Sequence, residues 1–393
     1  MRLLLISLLF TTGTWAQSLA LVHARIYTDP GSAAIPDGTV VVRDGWISAV
    51  GTAAQITVPA NTPTIDCRGL TVVAGLWNND IHLTEPKWRD ARSQPAARLA
   101  AELAAMFTRH GFTSVFDTGS LTDNTLALRE RIRKGEVAGP MILTTGIGLA
   151  PVGGTPADLQ PQRLPEANSA DQARAFVDEH FLEGTDGIKI FTGSSISKDQ
   201  TATMPEAIVE AVTTEAHRYG LPVLAHASGE AALREAIQGG VDILLDAPEI
   251  PAAVSQETLA GMKARDMALI PTLTLFRGSP NLPAILEQVK NYADLGGDIL
   301  FGTGAGHLKL GEPRDGYELL AKAGLNFRQI LASLTITPAR RFGYADRKGK
   351  VSQGLEADLT VLEGDPATSI EAWSAIRYCI RLGKILYAAP AGP

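Results

Sequence analysis

Thr71-Val-Val-Ala-Gly-Leu-Trp-Asn-Asn-Asp-Ile-His82 decides how the rest of the chain is read. An apolar strand runs into a polar cluster of Asn78, Asn79, Asp80 and His82. Strand side chains alternate between faces, so Asp80 and His82 project on one side. A carboxylate and an imidazole leaving a strand end together make half of a metal site, or else a hydrogen-bonded turn without chemistry. The spacing alone leaves both readings open.

Downstream, strands and helices alternate. Strand-like runs are Thr113 to Asp117, Met141 to Thr145, Gly187 to Phe191, Pro222 to Ala227, Val241 to Asp246, Leu269 to Leu275 and Ile299 to Thr303. Helical stretches such as Gln94 to His110, Ser169 to Leu182, Pro205 to Tyr219 and Gly229 to Gln238 separate most of them. With the opening strand, eight strands in about 235 residues match the size and period of a TIM-type (β/α)8 barrel. In such barrels the working groups sit at the C-terminal strand ends. Those ends carry Asp80 and His82 on the first strand, Lys189 on the fourth, His226 on the fifth and Asp246 on the sixth. The eighth runs Phe301-Gly-Thr-Gly-Ala-Gly-His307 and has no ionisable group before the histidine.

Both flanks are β-rich. Leu19 to Ile65 reads as short strands with a hairpin about Asp44-Gly45. Ala357 to Leu362 and Ile376 to Tyr387, with a turn at Gly383-Lys384, have the same texture. The two ends are expected to meet as one small β-sandwich. The expected division is an export signal over 1–16, sandwich over 17–70, barrel over 71–340 and sandwich again over 341–393. The signal expectation rests on Arg2, the apolar run Leu3 to Phe10 and the small-residue site Thr14-Trp15-Ala16. That run is too short to span a bilayer, and no other stretch is transmembrane. The mature chain is therefore expected outside the cytoplasm, periplasmic or secreted.

The chain's 393 residues, 45% hydrophobic and 20% charged, suffice for one large domain and a smaller one. A net charge of -7 argues against nucleic acid or an anionic membrane as partner, and 6% aromatics offer no stacking platform. A small-molecule substrate is the expected partner. Cys67 and Cys379 are expected as buried thiols rather than a bridge, and two cysteines cannot make a sulfur-rich zinc site.

Pro222-Val-Leu-Ala-His226, Gly187-Ile-Lys189-Ile-Phe, Thr335-Ile-Thr-Pro-Ala-Arg-Arg-Phe-Gly and the return strand Gly349 to Leu362 together resemble the amidohydrolase superfamily, in its imidazolonepropionase-like and prolidase-like branch. The resemblance covers the mature chain. It implies metal-dependent hydrolysis of a non-peptide C–N bond (amide or cyclic amide) or an acyl-dipeptide-like bond. It implies one or two divalent ions, zinc or manganese, held by Asp80, His82, Lys189, His226 and Asp246, with Lys189 carboxylated.

The chemistry departs from the family pattern. The first strand of the family ends Pro-Gly, two hydrophobic residues, then Asp-x-His-x-His. Here Ala74 to His82 puts Asp80 in place of one histidine. Asp246 replaces the sixth-strand histidine, Thr155 a histidine near the third strand, and Gly304 the eighth-strand aspartate. That aspartate is implied to hold metal and to take the proton from the attacking water, and glycine does neither. Two expectations follow. Either an altered, more anionic metal site persists, with His307, Glu85 or Glu249 as substitute base. Or Lys189 stays an ammonium paired with Asp80 and Asp246, and the protein is a catalytically inactive binding or scaffold protein. Asp117 reads as a hydrogen-bonded barrel residue and His23 as structural. His110, His180 and His217 read as surface groups. Ser228 lacks a Gly-x-Ser-x-Gly elbow and is not expected to act as a nucleophile.

Overall fold

The stretch from Thr71 to His82 forms two strands, not one. Leu70–Ala74 and Leu76–Ile81 belong to different sheets, with Gly75 between them. A Cβ at Gly75 would stand 2.2 Å from Thr113 Oγ1, so only glycine lets the chain pass here. Its N–H donates to the Asp358 carbonyl at 2.7 Å, which ties the crossing to the C-terminal segment. The computed structural model describes residues 18–159, 161–198, 200–249, 254–307 and 312–390. The expected signal, Met1 to Ala16, lies outside them.

The first sheet takes strands from both chain ends. Its strands are β1 (Leu19–Ile26), β2 (Ile35–Arg43), β3 (Trp46–Thr52), β4 (Thr64–Asp66) and β5 (Leu70–Ala74). After β6 (Leu76–Ile81) and seven further strands, β14 (Leu359–Glu363), β15 (Ile376–Arg381) and β16 (Lys384–Ala388) return to it. The order is β16-β15-β14-β5-β1-β2-β3, with β4 on β1. Leu21, Val40, Val72, Leu359 and Ile380 pack in its core. The β2–β3 hairpin turns at Asp44 and Gly45, both at positive φ, as their sequence demands. The last hairpin turns at Leu382-Gly383, one residue earlier than expected.

The middle of the chain supplies parallel strands. One sheet holds β6, β7 (Phe112–Asp117) and β8 (Met141–Thr144). The other holds β9 (Ile188–Ser197), β11 (Val223–Ala227), β12 (Ile243–Leu245) and β13 (Ala268–Ile270) in parallel, with β10 (Gln200–Thr203) antiparallel on β9. The expected run Leu269 to Leu275 is shorter, because Pro271 has no N–H to pair and Leu273–Phe276 coils into a 3-10 turn. The expected eighth strand, Ile299 to Thr303, is not a strand. It makes single parallel bridges, Leu269 to Ile299 and Ile81 to Ala305, and its Gly302 and Gly304 weaken continuous pairing.

Helices lie where the periodicity puts them: α1 (Ala96–Met106), α2 (Thr122–Arg133), α3 (Ala170–Glu183), α4 (Glu206–Arg218) and α5 (Glu230–Gln238). Ser169 caps α3 by accepting from Gln172 N, and α4 buries Ile208, Val209, Val212 and Ala216 on one stripe. His180 is not a surface group. It is buried on α3, with Nδ1 and Nε2 each 3.0 Å from a carbonyl, of Phe176 and Ile147. It thereby tethers the segment that follows β8. His110 is also largely enclosed, and burial together with Arg109 pushes it down to about 4. His217 is half-exposed and paired with Asp242 at 2.8 Å. Both cysteines are buried free thiols. Among the described residues no helix is long and apolar enough to cross a membrane.

Candidate active site

The end of β6 delivers Asp80 into the interior. Its Oδ1 accepts from Thr118 Oγ1 at 2.5 Å and its Oδ2 from Thr272 Oγ1 at 2.9 Å. His82 follows on the same side, as the alternation requires, with Nε2 3.6 Å from Asp80 Oδ1. The other ring nitrogen, Nδ1, lies 3.0 Å from the Gly119 carbonyl and so fixes the ring. Asn78 and Asn79 do not face a ligand. Asn78 Nδ2 donates to Thr303 Oγ1 and Asn79 Nδ2 to the Phe301 carbonyl, both at 2.8 Å, stitching the irregular eighth segment to β6.

Lys189 is buried and stands second in β9, not at a C-terminal strand end as expected, because β9 runs on to Ser197 to pair with β10. Burial holds its ammonium below the ordinary lysine range, while the carboxylates of Asp246 and Asp80 work in the opposite direction. Its Nζ lies 4.8 Å from the Phe191 ring centre. His226 ends β11, and its Nδ1 lies 2.8 Å from Asp246 Oδ2. The same ring's Nε2 lies 3.1 Å from Ser228 Oγ. Asp246 follows β12 at φ +62°, a left-handed conformation that aspartate tolerates. Burial pushes its carboxyl up, but the hydrogen bond and charge of His226, with the charge of Lys189, bring it below the ordinary range. Its Oδ1 is buried without a hydrogen-bond partner.

Gly304 sits at φ +64° and donates to the Asp80 carbonyl at 2.9 Å. His307 comes next in this segment, its ring centre 5.2 Å from that of His82. Its Nε2 lies 2.8 Å from Asp158 Oδ2, and that hydrogen bond holds the imidazole above its ordinary range and the Asp158 carboxyl below its own. Glu85 instead pairs with Lys87 at 2.8 Å, and the exposed Glu249 accepts from Ser279. Thr155 accepts from the Leu164 N–H at 3.1 Å and stays structural. Asp117 is fully buried and accepts from Ser120, Thr144 and the Leu83 N–H, with burial holding its carboxyl high.

The expected set is therefore drawn together as two pairs, Asp80 with His82 and His226 with Asp246, flanking Lys189. The donors are engaged with one another. Both nitrogens of His226 and both oxygens of Asp80 face polar protein atoms. Among the described residues no three His, Cys, Asp or Glu side chains stand close enough to share a metal ion. With glycine at 304, these residues do not fit the family's metal pair. Sequence reasoning missed Thr118, Thr272, Asp158 and Ser228. Only Ser228 carried a signal, its two-residue spacing from His226.

The model of the amidohydrolase family matches residues 71–264 and 276–386, and the chain belongs to that family. Among solved structures, it is similar to an Xaa-Pro dipeptidase with bound methionine, at TM-score 0.81 and 22% identity over 95% of this chain and 100% of the other. A putative prolidase from Bifidobacterium longum superposes at 0.80 with 24% identity, over 94% of each chain. Molinate hydrolase does so at 0.79 with 19% identity, over 94% of each. Comparison with curated proteins gives no match.

Proposed function

We propose that this protein hydrolyses an amide-type C–N bond of a small molecule, and does so without the metal-held water that the family resemblance implies. The observation that supports this is the convergence of four reactive side chains from the ends of three strands on one buried lysine: Asp80, His82, His226 and Asp246 around Lys189. Family membership supports the bond class, and the relatives named as dipeptidase, prolidase and molinate hydrolase support a small acyl-containing substrate. The interlocked donor set and Gly304 support metal independence. The two parallel sheets, joined through the bridges at Leu149–Ile190, Leu269–Ile299 and Ile81–Ala305, are proposed to close as one (β/α)8 barrel. The two chain ends are proposed to form its companion sandwich.

The test is a panel of N-acyl amino acids, Xaa-Pro dipeptides, cyclic amides and thiocarbamates, assayed with and without a strong chelator. Turnover that survives chelation is the expected result. A rate that vanishes with chelator and returns with zinc or manganese sinks metal independence, and no turnover across the panel sinks the hydrolase reading. Gly304 favours a second reading, ligand capture without turnover. Saturable binding of panel members that leaves them intact would establish it.

A further inference from the structure

We propose that Ser228, His226 and Asp246 form a nucleophile–base–acid relay, and that Ser228 carries the acyl group as a covalent intermediate. This rests on the hydrolase reading above and names its chemistry. The relay is geometric. Ser228 Oγ lies 3.1 Å from His226 Nε2, and His226 Nδ1 lies 2.8 Å from Asp246 Oδ2. Because an ionised carboxylate only accepts, Nδ1 carries the proton and Nε2 is left to accept from the serine hydroxyl. Asp246 thus fixes the tautomer that a general base needs. It stands where the resemblance implies a histidine, so the replacement that spoils the metal site supplies the relay's acid.

The local backbone presents the serine. His226 is the penultimate residue of β11 and Ser228 lies just past its end, the two side chains meeting through the Nε2–Oγ contact. The pairing with β9 shifts between His226 and Ala227, and a Cβ at Gly193 would stand 2.8 Å from the Ser228 carbonyl oxygen. Glycine there lets β9 approach the serine's backbone. Gly229, at φ +90°, then turns the chain directly into α5. Ser228 therefore occupies a strand-to-helix turn, the setting that exposes a nucleophilic hydroxyl in serine hydrolases, reached without the Gly-x-Ser-x-Gly signature. It remains partly exposed to solvent. Lys189 stands on the adjoining strand, its Nζ 4.8 Å from the Phe191 ring centre, which is 5.8 Å from that of His226, and supplies positive charge for a developing oxyanion.

In the first step Ser228 Oγ bonds to the substrate carbonyl carbon while its proton passes to His226 Nε2. The C–N bond then breaks, and the amine leaves with that proton. Water attacks the acyl-serine, His226 takes a proton from it, and the acid departs as the proton returns to Ser228. The sum is amide plus water giving acid plus amine.

The test is labelling of the purified full chain with a fluorophosphonate, followed by peptide mapping. Stoichiometric label on Ser228 is expected, with none in S228A and a labelling rate lowered about 10²–10⁴-fold in H226A, the range of a lost general base. Absence of label on the folded wild-type chain, or label on another residue, overturns the relay without reliance on any variant. Panel turnover that S228A leaves unchanged also overturns it while the hydrolase reading stands. Label on Ser228 with no panel turnover supports the relay and sinks the hydrolase reading instead.

Discussion

Nε2 of His307 and Oδ2 of Asp158 lie 2.8 Å apart, joining the segment after β8 to the segment after β13 at the mouth of the candidate site. The pair's pH dependence has a defined sign. His307 is raised, first by its hydrogen bond to Asp158, so its contribution is complete below the ordinary imidazole value and is lost as pH rises through the raised one. Asp158 is lowered by the same bond, so its contribution is complete above the ordinary carboxylate value and is lost as pH falls through the lowered one. The tether is therefore fully made between about pH 4 and 6.5. Hydrogen-exchange protection across residues 146–165, corrected for the intrinsic pH dependence of amide exchange, should be highest on that plateau and lower on both sides. D158N should flatten the profile; a wild-type profile already flat would refute the tether.

Metal content tests the proposed metal independence. Purified after growth with zinc or manganese, the wild type should hold less than about one-tenth equivalent, since a working site retains its ion. D80H/D246H/G304D restores three of the four residues at which the chain departs from the pattern the family resemblance implies, leaving Thr155. Aspartate carries some strain at 304, whose φ is +64°, but tolerates that left-handed conformation better than branched residues do. That variant should take up about one or two equivalents. A stoichiometric ion in the wild type would contradict the interlocked donor set.

Lys348 offers a test of the joint between the two ends. It is 3% exposed, with its Nζ 2.5 Å from Glu356 Oε2 and also bonded to Asp358, and both carboxylates are equally buried. Removing the cation alone leaves buried Asp358 without a counter-charge and Glu356 with only the half-exposed Arg347 guanidinium. K348M should therefore lose about 3–5 kcal/mol in denaturant melts. The triple change K348M/E356Q/D358N should recover much of that loss, because neutral amides need no counter-charge. A K348M chain as stable as wild type would show the network to be dispensable.

The fold was legible wherever side-chain periodicity acts locally. The helical stripe of α4 and the strands carrying Lys189 and His226 are fixed within a few residues by alternation and burial. The site was legible as a gathering of residues but not as a set of contacts. Nothing local says that Thr272 reaches Asp80, or that His307 turns to Asp158, because those partners are brought in by separate loops. His180 misled for the opposite reason. Its helical position suggests surface, whereas two backbone carbonyls enclose its ring. The eighth segment failed as a strand because its glycines permit the turn that puts the Gly304 N–H on Asp80's carbonyl.

Gly75 carries the crossing from one sheet to the next, and its demand is steric. The Cβ of an alanine there would meet Thr113 Oγ1 at 2.2 Å and Thr113 Cγ2 at 2.7 Å, in a region buried on every side. Overpacking of this kind costs about 1–3 kcal/mol. G75A should destabilise by that amount in urea unfolding, and T113A should lose less. The double variant should then be more stable than the sum of the two single losses predicts, since removing Oγ1 and Cγ2 leaves only the Cβ of residue 113, 2.9 Å away, against the new methyl. Strict additivity in the cycle would mean that β5 and β6 part at Gly75 for a reason other than the closeness of β7.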